Sequence, residues 1–298
     1  MIDKESLRNA NMKQVLCITA YKEFNYLKRL CGFASKEGFI VYVHVDSRKS
    51  DRKILQELNS LKNVTAFSKY KIPWGGGVTH VHAVIEMMHM ALSEHSDIAY
   101  LHVVTGQDIC TKRISEFNRF FIGSSKYNYM SCSDGNNNLF RYQTFYRNDI
   151  LNYKSGIGNF FTKAFHVMQK AAGINRKTPF GWKIYKGMLY VSITADFAKY
   201  VLDFVASKDG KTFMNWLKWC FVPEEFFFQT ILMNSTFNNT LVNNNYRFAL
   251  WKYKNGSQPG VLDDTDYNEI KQADVFFARK ISENCSNTLI DLILSDIK

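Results

Sequence analysis

From residue 14 to residue 104 the chain alternates short continuous apolar runs with segments of helical spacing, a rhythm that few folds accommodate. Gln14-Val15-Leu16-Cys17-Ile18-Thr19-Ala20, Phe39 to Asp46 and Ile98 to Val104 read as buried strands, and Val64 to Phe67 as a shorter one. Glu23 to Ala34, Ser50 to Leu61 and Val78 to Glu94 place apolar residues at helical spacing between them. Such alternation predicts an α/β fold, a mostly parallel sheet with helices on both faces. Ligands in these sheets sit outside the carboxyl ends of the strands. That rule singles out Thr19–Lys22, His44–Asp46 and Thr105–Asp108.

The rest of the chain is less regular. A polar stretch, Met1 to Met12, is expected to be a flexible arm, with one domain over 13–298, because four prolines and no low-complexity run leave little room for a linker. Residues 142–178 are basic, aromatic and rich in Gly and Asn, with helical spacing only near Phe160–Ala172. They read as an inserted lid or acceptor-side region. Further on, Gly187 to Ser192 and Tyr246 to Trp251 are expected strands. Ala195 to Ala206 and Asn287 to Ile297 are expected helices, and residues 254–266 a polar loop.

The net charge of +11 attracts phosphates in nucleic acid, anionic lipid or nucleotide-sugar, or simply keeps the surface soluble. No run of five basic residues exists. Cysteines 17, 31, 110, 132, 220 and 285 form no C-x-x-C pair, which leaves zinc and redox motifs unsupported. Cys17 and Cys132 fall in apolar, strand-like runs, and all six read as reduced thiols of a cytosolic chain. No apolar run approaches the roughly 18 residues of a membrane span, and no signal peptide opens the chain.

The chemistry concentrates in a few places. Val222-Pro223-Glu224-Glu225 starts a helix: proline suits its first turn, and two carboxylates follow where the helix dipole favours them. Phe226-Phe227-Phe228 then drives that helix into the core. A carboxylate fixed at such a mouth is placed as a general base needs, although a well-capped amphipathic helix reads the same way. Asp46 at a strand end can accept from ribose hydroxyls or a uracil N–H, or serve as a turn residue. Trp74-Gly75-Gly76-Gly77 could let backbone approach a phosphate, but no G-x-G-x-x-G or Walker pattern follows. Asp264-Thr265-Asp266 has the letters of a metal-binding Asp-x-Asp, yet lies in a polar loop and reads as a solvated turn or cap. Without a metal, a departing diphosphate needs organic cations. Arg279 and Lys280, at the end of Phe276-Phe277-Ala278, supply two, unless they are a solvated strand end.

Taken in order, Trp74-Gly75-Gly76, Thr105-Gly106-Gln107-Asp108, Tyr185-Lys186-Gly187, Pro223-Glu224-Glu225 with Phe228-Gln229-Thr230, and Phe277-Ala278-Arg279-Lys280 resemble the core-2/I-branching glycosyltransferases. This group, glycosyltransferase family 14, includes the peptide O-xylosyltransferases. The resemblance runs from about residue 13 to 282. It implies a GT-A-like fold, an inverting mechanism and no divalent metal or other cofactor. It also implies a UDP-sugar donor carrying GlcNAc or xylose, and a glycan or lipid-linked saccharide as acceptor. Residue by residue, Glu225 matches the catalytic carboxylate of the family's Pro-Asp-Glu motif, here Pro-Glu-Glu. Asp46 matches an aspartate at the nucleotide, Asp108 one near the donor, and Lys280 the lysine facing the diphosphate, with Arg279 assisting. Arg247 is the candidate second diphosphate arginine. Trp74, Gly75, Lys186 and Glu224 would shape the acceptor side. With no apolar anchor in sight, the chain reads as a bacterial-type member, cytoplasmic or peripheral to the inner face of a membrane. Two other readings remain at this point: a single-stranded nucleic-acid binder using aromatic stacking and phosphate contacts, and an inactive scaffold that keeps the fold.

Overall fold

The structure is a computed structural model and describes residues 12–72, 77–123, 126–146 and 152–297. Of the expected N-terminal arm only Met12 falls within these, packed against the core. Three long strands form the centre: β1 (Lys13–Ala20), β2 (Ile40–Val45) and, later in the chain, Ile98–Thr105. The strand between them, β3 (Val64–Phe67), lies at one sheet edge, which makes Ile98–Thr105 β4. β1 pairs in parallel with both β2 and β4, and β2 with β3. A parallel ladder needs a crossover between strands, and the helices Phe24–Glu37, Arg52–Asn59 and Val78–Glu94 supply the crossovers.

Because strand side chains alternate between faces, a strand buried on both sides is apolar at nearly every position. β1 shows this directly. Leu16, Ile18 and Ala20 enter one core, which holds the helices Phe24–Glu37 and Asn287–Asp296. Val15 and Cys17 enter the other, with the helices Val78–Glu94, Ala195–Ala206 and Phe227–Met233. The buried His102 of β4 meets Gln14 Oε1 at 3.0 Å and Ser192 Oγ at 2.8 Å, so its ring nitrogens are both satisfied.

The remaining strands are short: β5 (Asp108–Cys110), β6 (Asn128–Tyr129), β7 (Ser133–Asp134), β8 (Tyr185–Lys186), β9 (Ser192–Thr194), β10 (Leu241–Val242), β11 (Arg247–Ala249) and β12 (Phe277–Arg279). The main sheet has the order β10-β6-β9-β4-β1-β2-β3, with β9 antiparallel to both neighbours. A second sheet, β11-β12-β5, and a β7-β8 pair lie beside it. The result is the GT-A-like arrangement that the resemblance implied: a mostly parallel sheet clothed by helices.

Three expectations are corrected. Gly187–Ser192 is not one strand; it follows β8, and only its last residue, Ser192, belongs to a strand, β9. Gly187 is pressed against the Ser131 carbonyl, and the Gln229 amide donates to the carbonyls of Ser131 and Met188, so side-chain contacts replace a ladder. Tyr246–Trp251 pairs only over Arg247–Ala249. Cys132 lies just outside a strand, before β7, and is half-buried.

Gly187 has no room for a side chain. A Cβ there would meet the Ser131 carbonyl oxygen at 1.8 Å and Gln229 Nε2 at 2.7 Å. Gly187→Ala is therefore expected to destabilise the fold by about 3 kcal/mol or more, because backbone must move to admit it. Urea unfolding with a midpoint unchanged from wild type would refute this.

Candidate active site

The strand-end rule leads to a cleft of about 370 Å³ whose walls include Thr19, Ala20 and Thr105, from the carboxyl ends of β1 and β4. Glu224, Glu225, Arg279 and Lys280 line it too. Four of the residues singled out from the sequence thus converge, although some 50 residues separate the two pairs in the chain.

The carboxylates are held by a turn that local preference alone would not form. Val222 sits at φ 53°, ψ 61°, left-handed backbone that a β-branched residue ahead of proline resists. Arg141 compensates. Its Nε donates to the Phe221 carbonyl at 3.1 Å, its Nη2 to the Val222 carbonyl at 3.1 Å, and its Nη1 to Glu225 Oε2 at 2.8 Å. Its guanidinium lies 4.7 Å from the centre of the Phe226 ring. One buried arginine therefore fixes both the strained backbone and the carboxylate. Pro223–Glu225 forms a 3₁₀ turn, and the α-helix begins only at Phe227, four residues after the proline.

The two glutamates live in different surroundings. The Glu225 side chain is 35% exposed, with Lys186 Nζ 3.9 Å away. Glu224 is 4% exposed and accepts from the Gly77 N–H at 2.9 Å. Burial pushes the Glu224 carboxyl up to about 8, reinforced by its neighbour Glu225. Near neutral pH Glu224 is therefore a buried acid, beside the more open side chain of Glu225.

On the cation side, Arg279 is buried, with its guanidinium 3.9 Å from the centre of the Tyr190 ring and Nε 3.3 Å from Asp108 Oδ1. Nε and Nη1 nevertheless make no hydrogen bond to the described residues. Lys280 donates to Ser257 Oγ at 3.1 Å. Burial and the adjacent Arg279 push its pKa down. Asp108 lies behind Arg279, its Oδ2 accepting from the Thr105 N–H at 2.7 Å. Arg247 is turned away from the cleft lining, its Nη2 donating to the Val191 carbonyl at 2.8 Å and Ser192 Oγ at 3.2 Å. Asp46 is also behind the wall. Its fully buried carboxylate accepts from Arg48 N, Nε and Nη2 and from the Ile72 N–H, and of these Ile72 reaches the cleft. Trp74 and Gly75 fall outside the described residues.

Sequence reading overlooked three participants. Arg141 carries no motif and precedes an irregular stretch. Tyr190 reads as the interior of the expected strand Gly187 to Ser192. His80, in the first turn of Val78–Glu94, lines the cleft with Nε2 2.9 Å from Thr19 Oγ1; burial pushes its pKa down to about 3, so its ring is neutral. The Gly run before it was the only available signal. Asp264-Thr265-Asp266 forms a 3₁₀ turn capped by Asp263, and Asp266 pairs with Lys254 at 2.6 Å, the cap alternative of the sequence.

Against known proteins, the core-2/I-branching enzyme family matches residues 16–275. Human N-acetyllactosaminide beta-1,6-N-acetylglucosaminyl-transferase is 22% identical over 217 residues, 72% of this chain and 51% of its own length. Human xylosyltransferase 2 is 22% identical over 285 residues, 90% of this chain and 31% of its own. The chain thus spans about a third to a half of the length of these relatives.

The Glu224 environment makes stability depend on pH. The folded chain keeps this proton up to about pH 8, whereas an ordinary glutamate releases it near 4.5. The folded form binds the extra proton between those values, so the stability present below the lower one is lost as pH rises toward the upper. Glu224→Gln removes the titration while keeping the shape. At about 1.4 kcal/mol per pKa unit, the variant should match wild type near pH 5 and exceed its stability by roughly 1–4 kcal/mol at pH 8. A gap that does not change with pH, measured by denaturant unfolding, would overturn this.

Proposed function

The chain belongs to the core-2/I-branching enzyme family, and on that premise we propose that it is a metal-independent, inverting glycosyltransferase. It moves a sugar, GlcNAc or xylose, from a UDP-sugar to a hydroxyl of a glycan or lipid-linked saccharide. The observation that carries this reading is the buried Arg279 guanidinium, two of whose nitrogens make no hydrogen bond to the described residues, next to Lys280 and in the same cleft as Glu225. Buried donors left unbonded are costly. Two cations side by side repel. A diphosphate relieves both.

In the proposed reaction the acceptor hydroxyl oxygen attacks the anomeric carbon. Its proton passes to Glu225 as the bond forms, and the bond from that carbon to the β-phosphate oxygen breaks, its electron pair leaving with UDP. A single displacement of this kind inverts the anomeric centre. Arg141 aims Glu225, and Lys186 adds a cation close to it. Arg279 and Lys280 neutralise the charge that grows on the departing diphosphate, the part a metal plays elsewhere. Asp108 orients Arg279, and Arg247 supports the strand behind it. Asp46 serves the nucleotide through the Arg48–Ile72 rim it organises. Glu224, as a buried acid, shapes the acceptor side together with the segment of Trp74 and Gly75. Six cysteines outside any disulfide, four of them buried, suit the reducing cytoplasm in which we place the enzyme. Phe226, Phe227 and Phe228 are fully buried and offer no stacking platform to nucleic-acid bases.

Glu225→Gln preserves shape and removes the base. Its kcat should fall by about 10²–10⁴ while UDP still binds. A variant turning over at close to the wild-type rate would eliminate Glu225 as the base, and equal turnover in every site variant would point to an inactive assay or a scaffold.

Lys280→Ala should lower kcat about 10²-fold, by analogy with losing an oxyanion donor, and weaken UDP binding, with circular dichroism unchanged. Thermal-shift titration with UDP-GlcNAc and UDP-xylose, with and without EDTA, identifies the donor, because a ligand of the native state stabilises it by mass action. Turnover abolished by EDTA and restored by manganese would defeat the metal-free mechanism.

A further inference from the structure

The helix Gly156–Ala171 is built inside out. Ile157, Phe160, Phe161, Val167 and Met168 are between 53% and 75% exposed. At 3.6 residues per turn they form one broad apolar stripe, and it faces solvent. The face turned to the protein is polar instead. Gly158 and Gln169 are the buried positions of this helix. The Gln169 side chain pairs with the backbone N–H and carbonyl of Phe145 at 2.7 and 2.9 Å, and His166 Nδ1 meets Thr144 Oγ1 and Tyr146 Oη at 3.1 Å each. An ordinary surface helix does the reverse, burying its apolar stripe and solvating its polar face. A large exposed apolar patch on a folded chain marks a binding surface.

Charge identifies what binds. Residues 152–194 contain seven Lys and Arg and no Asp or Glu. Lys163 and Lys170, one flank of the helix, are exposed beside the stripe. Apolar side chains flanked by lysines, in a stretch of sequence without acids, are the chemistry of a helix lying in the interface of an anionic bilayer. A second copy of the chain would be a poor match, since it would bring the same lysines together.

We propose that the helix Gly156–Ala171 docks this protein on an anionic lipid surface, its stripe in the acyl boundary and its lysines at the headgroups. Tyr153 and Lys154, just ahead of the helix, line the catalytic cleft. Docking therefore sets the cleft mouth beside the membrane, where a lipid-linked acceptor would be presented. The docking itself does not depend on the transferase reading, and it is measured without turnover.

The test is co-sedimentation of the full chain with vesicles of phosphatidylcholine alone or mixed with phosphatidylglycerol, at low and high salt. Wild type should bind the mixed vesicles, weakly or not at all the neutral ones, and less as salt rises. Phe160→Ser/Phe161→Ser/Met168→Ser should abolish binding. Lys163→Gln/Lys170→Gln should weaken it about 30-fold. All five side chains are exposed, so unchanged circular dichroism and thermal midpoint are expected of both variants. No binding to the mixed vesicles, or binding that the apolar triple variant retains, overturns the proposal. So does a dimer in sedimentation velocity that the triple variant disperses, which would make a second copy the occupant.

Discussion

Parallel pairing of β1 with both β2 and β4 leaves these strands with two faces to cover, and the rest of the architecture answers that need. A parallel ladder cannot be closed by hairpins, so each crossover returns as a helix and lands on one face or the other. The two cores are the consequence, one on each side of a sheet whose central strands are apolar at nearly every position. An interior so completely apolar admits charge only at its margins. The carboxyl ends of β1 and β4 are such a margin, and the cleft is there.

At that margin, burial assigns different chemistry to similar side chains. Glu224 and Glu225 are neighbours in sequence, yet one faces the backbone of Gly77 and the other Arg141 and solvent. Desolvation raises the first; an ion pair and water surround the second. Arg279 and Lys280 are likewise consecutive, one buried against Tyr190 and Asp108, the other in reach of Ser257. In both pairs consecutive residues differ in burial, and at Pro223–Glu225 the 3₁₀ turn separates the buried side chain from the accessible one. Arg141 shows how dearly this geometry is kept: it satisfies two carbonyls around a left-handed valine in order that Glu225 be where it is.

The stretch 142–178 obeys neither rule of the core. Its helix lays polar side chains on the protein and apolar ones on solvent, so its packing energy against the domain comes from hydrogen bonds such as those of Gln169, each worth about 1 kcal/mol net. A segment attached this way keeps its apolar area for something outside the chain, and Tyr153 and Lys154, just ahead of the helix, open directly onto the cleft.

Much of the fold was legible in the sequence because hydrophobic periodicity is local. The strands around residues 14–20, 39–46 and 98–104 and the helix Val78–Glu94 are each announced by a dozen or so consecutive residues, and the alternation itself implies the parallel sheet. The strand-end rule pointed to Thr19 and Thr105, and the motifs with the family resemblance singled out Glu224, Glu225, Arg279 and Lys280. Tertiary structure decided what those residues touch. Arg141, Tyr190 and His80 have no signature of their own, since each gains its role only from a partner distant in the chain: Arg141 lies 84 residues from Glu225, and His80 lies 61 from Thr19. The withdrawal of Asp46 behind Arg48 and Ile72, the division of labour between two adjacent glutamates and the outward face of Gly156–Ala171 are equally non-local. Periodicity reports that a helix has an apolar side; only packing determines whether that side is buried or left in water.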